Sequence, residues 1–199
     1  MELPSRYVLD RESIKLNAYR LICHFYSNKE IARQSEPGIP SNGIARLEQR
    51  YFYREVIHLL LNIAMSLRVL DDLMKGMEAS SELKKAHYKA MDNVNQRYQC
   101  MMFDDLNLRQ VCNKIIHADI MEPHLMESKD GTHLNDSFNW LAWAESNEGN
   151  YDKEIPKPDP IEWRHLTNNV RLVGKYNNKE WCHVLEVPVY VEAVSELLA

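Results

Sequence analysis

Leu106-Asn107-Leu108-Arg109-Gln110-Val111-Cys112-Asn113-Lys114-Ile115-Ile116-His117-Ala118 sets two rows of side chains on one short helix. Leu108, Val111, Cys112 and Ile115 recur at intervals of three and four, the spacing of a face that packs on a core. Beside them run Arg109, Asn113 and His117, each four residues after the last, so a polar row lies along the edge of that core. A guanidinium, an amide and an imidazole in one row can grip a phosphate and move a proton. The ordinary reading is that three polar residues on a helix edge face water. Asp104 or Asp105 is placed to cap the helix.

Upstream, the chain reads as helical. Glu12 to about Gln34 carries Ile14, Tyr19, Leu21, Ile22, Phe25 and Tyr26, and ends in Ser35-Glu36-Pro37-Gly38-Ile39-Pro40-Ser41-Asn42-Gly43, which cannot continue a helix. A longer helix from about Ile44 to Met77 places Leu47, Tyr51, Ile57, Leu60, Ala64, Leu67, Leu70 and Met74 inward, with Gly76 as its stop. From Glu78 to Met102 the pattern weakens to a short helix at most. Residues 1–118 are thus expected to form a helical core.

Downstream, the composition changes. Asp119 to Trp163 holds eleven acidic residues against three basic ones, a balance of −8 that leaves +3 for the rest of a chain whose total is −5. Residues 119–167 are expected to be an acidic, irregular segment. Within it, Asn135 to Ala144 (Phe138, Trp140, Leu141, Trp143) makes a short aromatic helix, and Ile155-Pro156-Lys157-Pro158-Asp159-Pro160 an extended linker. Residues 168–199 read as a β-hairpin and a last helix packed on the core. Val170 to Tyr176 and Glu180 to Val187 flank an Asn177-Asn178-Lys179 turn, and Pro188 starts a helix with Val191, Val194 and Leu198 inward.

Several function classes are disfavoured. The acidic total argues against a generally basic nucleic-acid binder, although a local basic stripe escapes that average. No apolar run reaches eighteen residues: Val56 to Leu73 is broken by His58, Asn62, Ser66, Arg68, Asp71 and Asp72, so no membrane span is expected. Met1-Glu2-Leu3-Pro4-Ser5-Arg6 lacks the basic and apolar regions of a signal peptide. Cys23, Cys100, Cys112 and Cys182 are scattered through apolar surroundings and read as buried thiols of a reducing compartment, hence a cytoplasmic protein. The eight histidines form no His-x-x-x-His pattern, and no Cys-x-x-Cys occurs, so neither a metal nor a cofactor is expected. No Gly-x-Ser-x-Gly elbow is present either.

The segment Leu108 to Ala118 resembles the signature helix of the HEPN superfamily, and Ile63 to Asp72 on the preceding helix resembles it more loosely. The likeness covers about Ile44 to His117. It implies a mainly α fold, a HEPN-like helical bundle, here with a C-terminal β-hairpin and closing helix. It also implies a metal-independent ribonuclease or RNA-binding protein of a defence, toxin–antitoxin or mobile-element system, working as a homodimer. The family pattern is an arginine, often followed by asparagine, with a histidine four to six residues beyond the arginine. Asn113 and His117 match the last two, whereas Cys112 stands at the arginine position. Arg109 is the nearest arginine, but seven residues separate it from His117, and eight helical steps hold the two backbones about 12 Å apart. A second subunit would have to bring another Arg109 close. In that arrangement His117 is the general acid or base and Arg109 stabilises the developing phosphorane charge. With no working arginine, the alternative is a non-catalytic dimerisation or protein-interaction module.

Three other features have both a bland and a functional reading. Arg46, Arg50, Arg54 and His58 form a ladder that can track an RNA backbone or simply face solvent. The acidic segment can cover that ladder, within the fold or from a neighbouring subunit. Arg68 and Asp72 stand one turn apart, as an addition to the site or as an intrahelical ion pair. Met121, Met126, Trp140 and Trp143 mark either a partner surface or anchors to the core.

Overall fold

The Asp10 carboxylate accepts the Glu12 N–H at 3.0 Å and starts the first helix, α1 (Arg11–Arg33). This computed structural model describes residues 10–35, 43–102, 105–146 and 158–199. The N-terminal hexapeptide, the Pro37–Pro40 break, the Asp104 cap and the first half of the proline linker lie outside those residues. The second helix, α2 (Gly43–Gly76), ends at the glycine expected to stop it. Lys84 donates from its ammonium to the carbonyls of Met77 at 2.8 Å and Lys75 at 3.0 Å, satisfying acceptors at that helix end.

The inward face of α2 differs from expectation over its first turns. Leu47 and Tyr51 are exposed, while Ala45, Phe52, Val56 and Leu59 are buried. Two apolar phases compete in this part of the helix. The Phe52 ring meets Phe25 of α1 edge to face at 5.7 Å, which favours the second phase. From Leu60 to Met74 the expected register is correct. Tyr19 and Tyr26 of α1 are likewise exposed.

The weakly patterned region forms a full helix, α3 (Glu82–Met102), because Met91, Val94 and Tyr98 find the core. After it comes α4 (Leu108–Ile116), whose Leu108, Val111, Cys112 and Ile115 are all buried as the spacing requires. Its cap is Asn107 rather than an aspartate. The Asn107 side chain accepts the Gln110 N–H and the Gln110 side chain accepts the Asn107 N–H, both at 2.9 Å, a reciprocal capping box. Asn95 of α3 also accepts the Leu108 N–H at 3.0 Å.

The acidic segment is not irregular: it holds β1 (Ile120–Ser128) and α5 (Leu134–Ser146). With β2 (Trp163–Tyr176) and β3 (Lys179–Glu186), β1 makes a three-stranded antiparallel sheet in the order β1-β2-β3, so the expected hairpin is two-thirds of a larger unit. Pro123 and the glutamates hide β1 in the sequence. As an edge strand it tolerates a proline, and its register shifts between Pro123 and Leu125. Its negative charge is matched across the sheet: Glu122 pairs with Arg171 at 3.1 Å and Glu127 with Arg164 at 2.5 Å. Asn177 and Asn178 turn the β2–β3 hairpin with φ of 49° and 62°, the paired positive values a two-residue type I′ turn needs.

The closing helix, α6 (Val187–Leu197), buries Val187, Tyr190, Ala193, Val194 and Leu197, and Leu198 just beyond it. Val191 of the expected stripe is only half-buried. One apolar cluster joins α1, α2, α3, α4, β2, β3 and α6. Polar ties reinforce it: the Tyr98 hydroxyl donates to Glu196 at 2.8 Å, and Asn28 bridges Glu48 at 3.0 Å and the Leu166 N–H at 3.1 Å. The molecule is mainly helical, with a small sheet and a closing helix, and no described helix is long and apolar enough to cross a membrane.

Candidate functional site

α4 packs against α2 with its polar row at the edge of the core, and the row divides. At its start, Arg109 is drawn onto α2: the guanidinium pairs with Asp71 and, at 3.2 Å, with Asp72. Asp71 is buried and also lies 3.6 Å from Lys75 and 3.9 Å from the His87 imidazole. Burial and the neighbouring Arg68 charge lower the Arg109 pKa from its usual value. With its charge spent on Asp71 and Asp72, Arg109 is a helix-to-helix clamp and does not line the groove described next.

At the other end of the row, Asn113 is half-buried and His117 exposed. His117 is the C-cap of α4, its backbone N–H donating to the Asn113 carbonyl at 3.0 Å. Because the helix stops there, the His117 side chain leaves at the mouth of a groove of about 810 Å³ lined by Arg68, Asn113, Lys114, His117, Lys175, Tyr176 and Trp181. The groove runs between the α2–α4 pair and the turn end of the hairpin.

Arg68 reaches this groove from α2. Its nearest acidic partner is Asp72 at 3.7 Å, a loose ion pair, and its Nη1 is buried without a hydrogen-bond acceptor among the described residues. Arg68 also borders a small cavity of about 10 Å³ next to Cys112. The thiol is fully buried 3.9 Å from the Tyr190 hydroxyl, and burial pushes it up to about 12. Cys112 therefore points into the core, where an arginine could not be housed without stranding its charge. The guanidinium beside Asn113 and His117 arrives instead from the neighbouring helix.

The hairpin supplies what the sequence reading did not single out. Trp181 lies over β2 at Gly174, where an added Cβ would overlap the indole at Cζ2 and sit 2.8 Å from the His117 carbonyl. Only glycine lets the ring and the end of α4 approach so closely. The Lys114 ammonium stands 4.0 Å from the Trp181 ring centroid, a cation–π contact. No local motif marks Trp181, Tyr176 or Lys175, because strand pairing brings them to His117 from about sixty residues away. Among the described residues, no group of three or more His, Cys, Asp or Glu side chains is arranged to hold a metal ion.

The basic ladder stands apart. Arg46, Arg50, Arg54 and His58 are exposed on the first half of α2; Arg50 lies over the Tyr51 ring at 5.3 Å and His58 bonds Asn62 at 2.9 Å. Fourteen helical residues, about 21 Å, separate Arg54 from Arg68. Asp119 also lines the groove and Lys175 is paired with Glu180 at 3.4 Å, so the recess is basic on balance through Arg68 and Lys114, aromatic-floored, with an imidazole at its mouth. The chain matches no protein-family model, no curated protein and no solved structure.

Proposed function

We propose that this chain is a HEPN-like, RNA-engaging protein whose α4 groove takes an RNA phosphate and cleaves without a metal. The observation that carries the reading is the set Arg68, Asn113 and His117 in one groove, with Arg68 standing where the motif's arginine is missing at Cys112. Cleavage of this kind needs the 2′-hydroxyl deprotonated, the 5′-oxygen protonated and the phosphorane charge neutralised. His117 is the group for one of the two proton transfers. Arg68 and Lys114 supply the positive charge, and the Arg68 Nη1 has no acceptor among the described residues, which leaves this guanidinium a donor for an anion. Trp181 and Tyr176 offer flat surfaces for an unpaired base beside those cations. A role in a defence, toxin–antitoxin or mobile-element system follows from the same resemblance.

The test is cleavage of a mixed tRNA and mRNA pool in chelator by the native chain, His117→Ala and Arg68→Gln at matched purity. Cleavage lost in both variants supports the reading. Equal cleavage by all three places the activity elsewhere. No cleavage by a folded native chain, together with no RNA retained on a filter, replaces it with a non-catalytic dimerisation or protein-interaction module.

A further inference from the structure

Helix α5 is the least explained element of the fold. None of its thirteen residues is buried, and Phe138, Trp140 and Leu141 are 59%, 49% and 49% exposed. A helix this short is marginal in water by itself, and most such helices are held by an apolar face docked on something. Here the base is anchored. Buried His133 donates from Nε2 to the Ser35 carbonyl at 2.7 Å, its Nδ1 accepts the Asn135 N–H at 3.2 Å, and Asp136 accepts the Ile161 N–H at 2.7 Å. Beyond that base, the aromatic row faces out. Between α5 and residues 158–160 runs a groove of about 480 Å³, with Trp140, Leu141, Pro158 and Pro160 as its walls and Asp136 and Asp159 among its lining.

A complementary surface lies at the same end of the molecule. The first turns of α2 expose Ile44, Leu47 and Tyr51 beside the row Arg46, Arg50 and Arg54. Asn28 ties Glu48 of this arm to α1, and the end of α1 holds the approach to α5 through Arg33 on the Thr132 carbonyl at 3.3 Å. One surface is acidic and aromatic, with no basic residue on α5; the other is apolar and carries three arginines against Glu55 and a Glu48 already bonded to Asn28.

We propose that these two surfaces dock on each other between two copies of this chain, α5 of each copy lying along the α2 arm of the other. Charge complementarity favours a second copy. An arginine of the α2 ladder enters the α5 groove, its guanidinium against Trp140 and its charge between Asp136 and Asp159. Because both surfaces sit on each molecule, a twofold axis makes the contact twice. The six exposed apolar side chains and Arg50 of each copy, each hiding roughly 100 Å², remove about 700 Å² per partner, close to the ~800 Å² of a stable dimer. None of these residues lines the α4 groove, so the dimer and RNA cleavage fail or survive separately.

The experiment is sedimentation equilibrium of the whole chain, with Arg50→Glu and Trp140→Ser as variants. Both positions are exposed, and circular dichroism checks their folding. The native chain is expected to be dimeric at micromolar concentration, with each variant weakening association about tenfold or more. Arg50→Glu mixed with Asp159→Arg is expected to recover part of the dimer. A native monomer at ~100 μM, or a dimer that neither variant weakens, overturns the proposal.

Discussion

Arg68 of α2 and Cys112 of α4 border one small buried cavity, so the thiol at the motif's arginine position has a guanidinium beside it from the neighbouring helix. The Arg68 charge acts on that thiol, drawing its pKa down slightly against the much larger upward push of burial. The antiparallel run of the two helices explains the pairing. Arg109 meets Asp72 at one level, and Arg68, one turn back along α2, falls beside Cys112, one turn on along α4.

Restoring the motif in sequence is therefore expected to break the fold. Cys112→Arg places a guanidinium against buried Tyr190 and beside the like charge of Arg68 and should cost several kcal/mol, enough to lower a urea midpoint sharply. A variant that folds like the native chain and cleaves RNA faster would show that position 112 opens onto the groove instead.

The Cys112 thiol is expected to be inert. Pushed up to about 12, it is ionised on the order of one part in ten thousand at pH 8, and it is buried as well. Peptide mapping after brief iodoacetamide treatment should find Cys182, which is exposed, alkylated and Cys112 untouched until denaturant is added. Rapid modification of Cys112 in the folded chain contradicts the packing described.

Gly174→Ala tests the floor of the groove. The new methyl would overlap Trp181 and crowd the His117 carbonyl. Displacing the indole should cost about 1–3 kcal/mol and pull the ring away from Lys114. The expected signs are a lower thermal midpoint and a shifted Trp181 indole N–H resonance. Unchanged values for both would mean that the ring does not lie over the strand.

Acidification should weaken the fold through His87. Burial, and secondarily the charge of Arg11, holds its pKa below the usual histidine value. Asp71 is 3.9 Å away, but Arg109 and Lys75 already engage that carboxylate. The unfolded chain thus takes up the proton first. This contribution to stability is complete above about pH 6.5 and is lost as pH falls below it, by at most about 1.4 kcal/mol per pH unit. Urea titrations from pH 7.5 to 5 should show a steeper decline for the native chain than for His87→Gln; parallel curves would remove His87 as the cause.

Much of the architecture was legible before folding, for local reasons. The four buried positions of α4, the stop at Gly76 and the asparagine turn each depend on periodicity or on one residue's backbone preference, which neighbours in sequence are enough to express. Where local signals compete or fall silent, tertiary contacts decided. Phe25 chose which face of α2 turns inward, Val94 made a helix of a weak pattern, and pairing with β2 made a strand of a segment that holds a proline and two acidic residues.

The candidate site shows the same division. Asn113 and His117 share a helix edge because four residues make about one turn, a relation the sequence by itself determines. Which arginine joins them is set by which carboxylates lie opposite. Asp71 and Asp72 take Arg109, and Arg68, whose buried Nη1 has no acceptor among the described residues, lines the groove. Trp181 reaches His117 only because the hairpin folds back over Gly174. Periodicity acts within a helix, whereas ion pairing and strand register act between segments distant in the chain, and only the tertiary structure sets those distances.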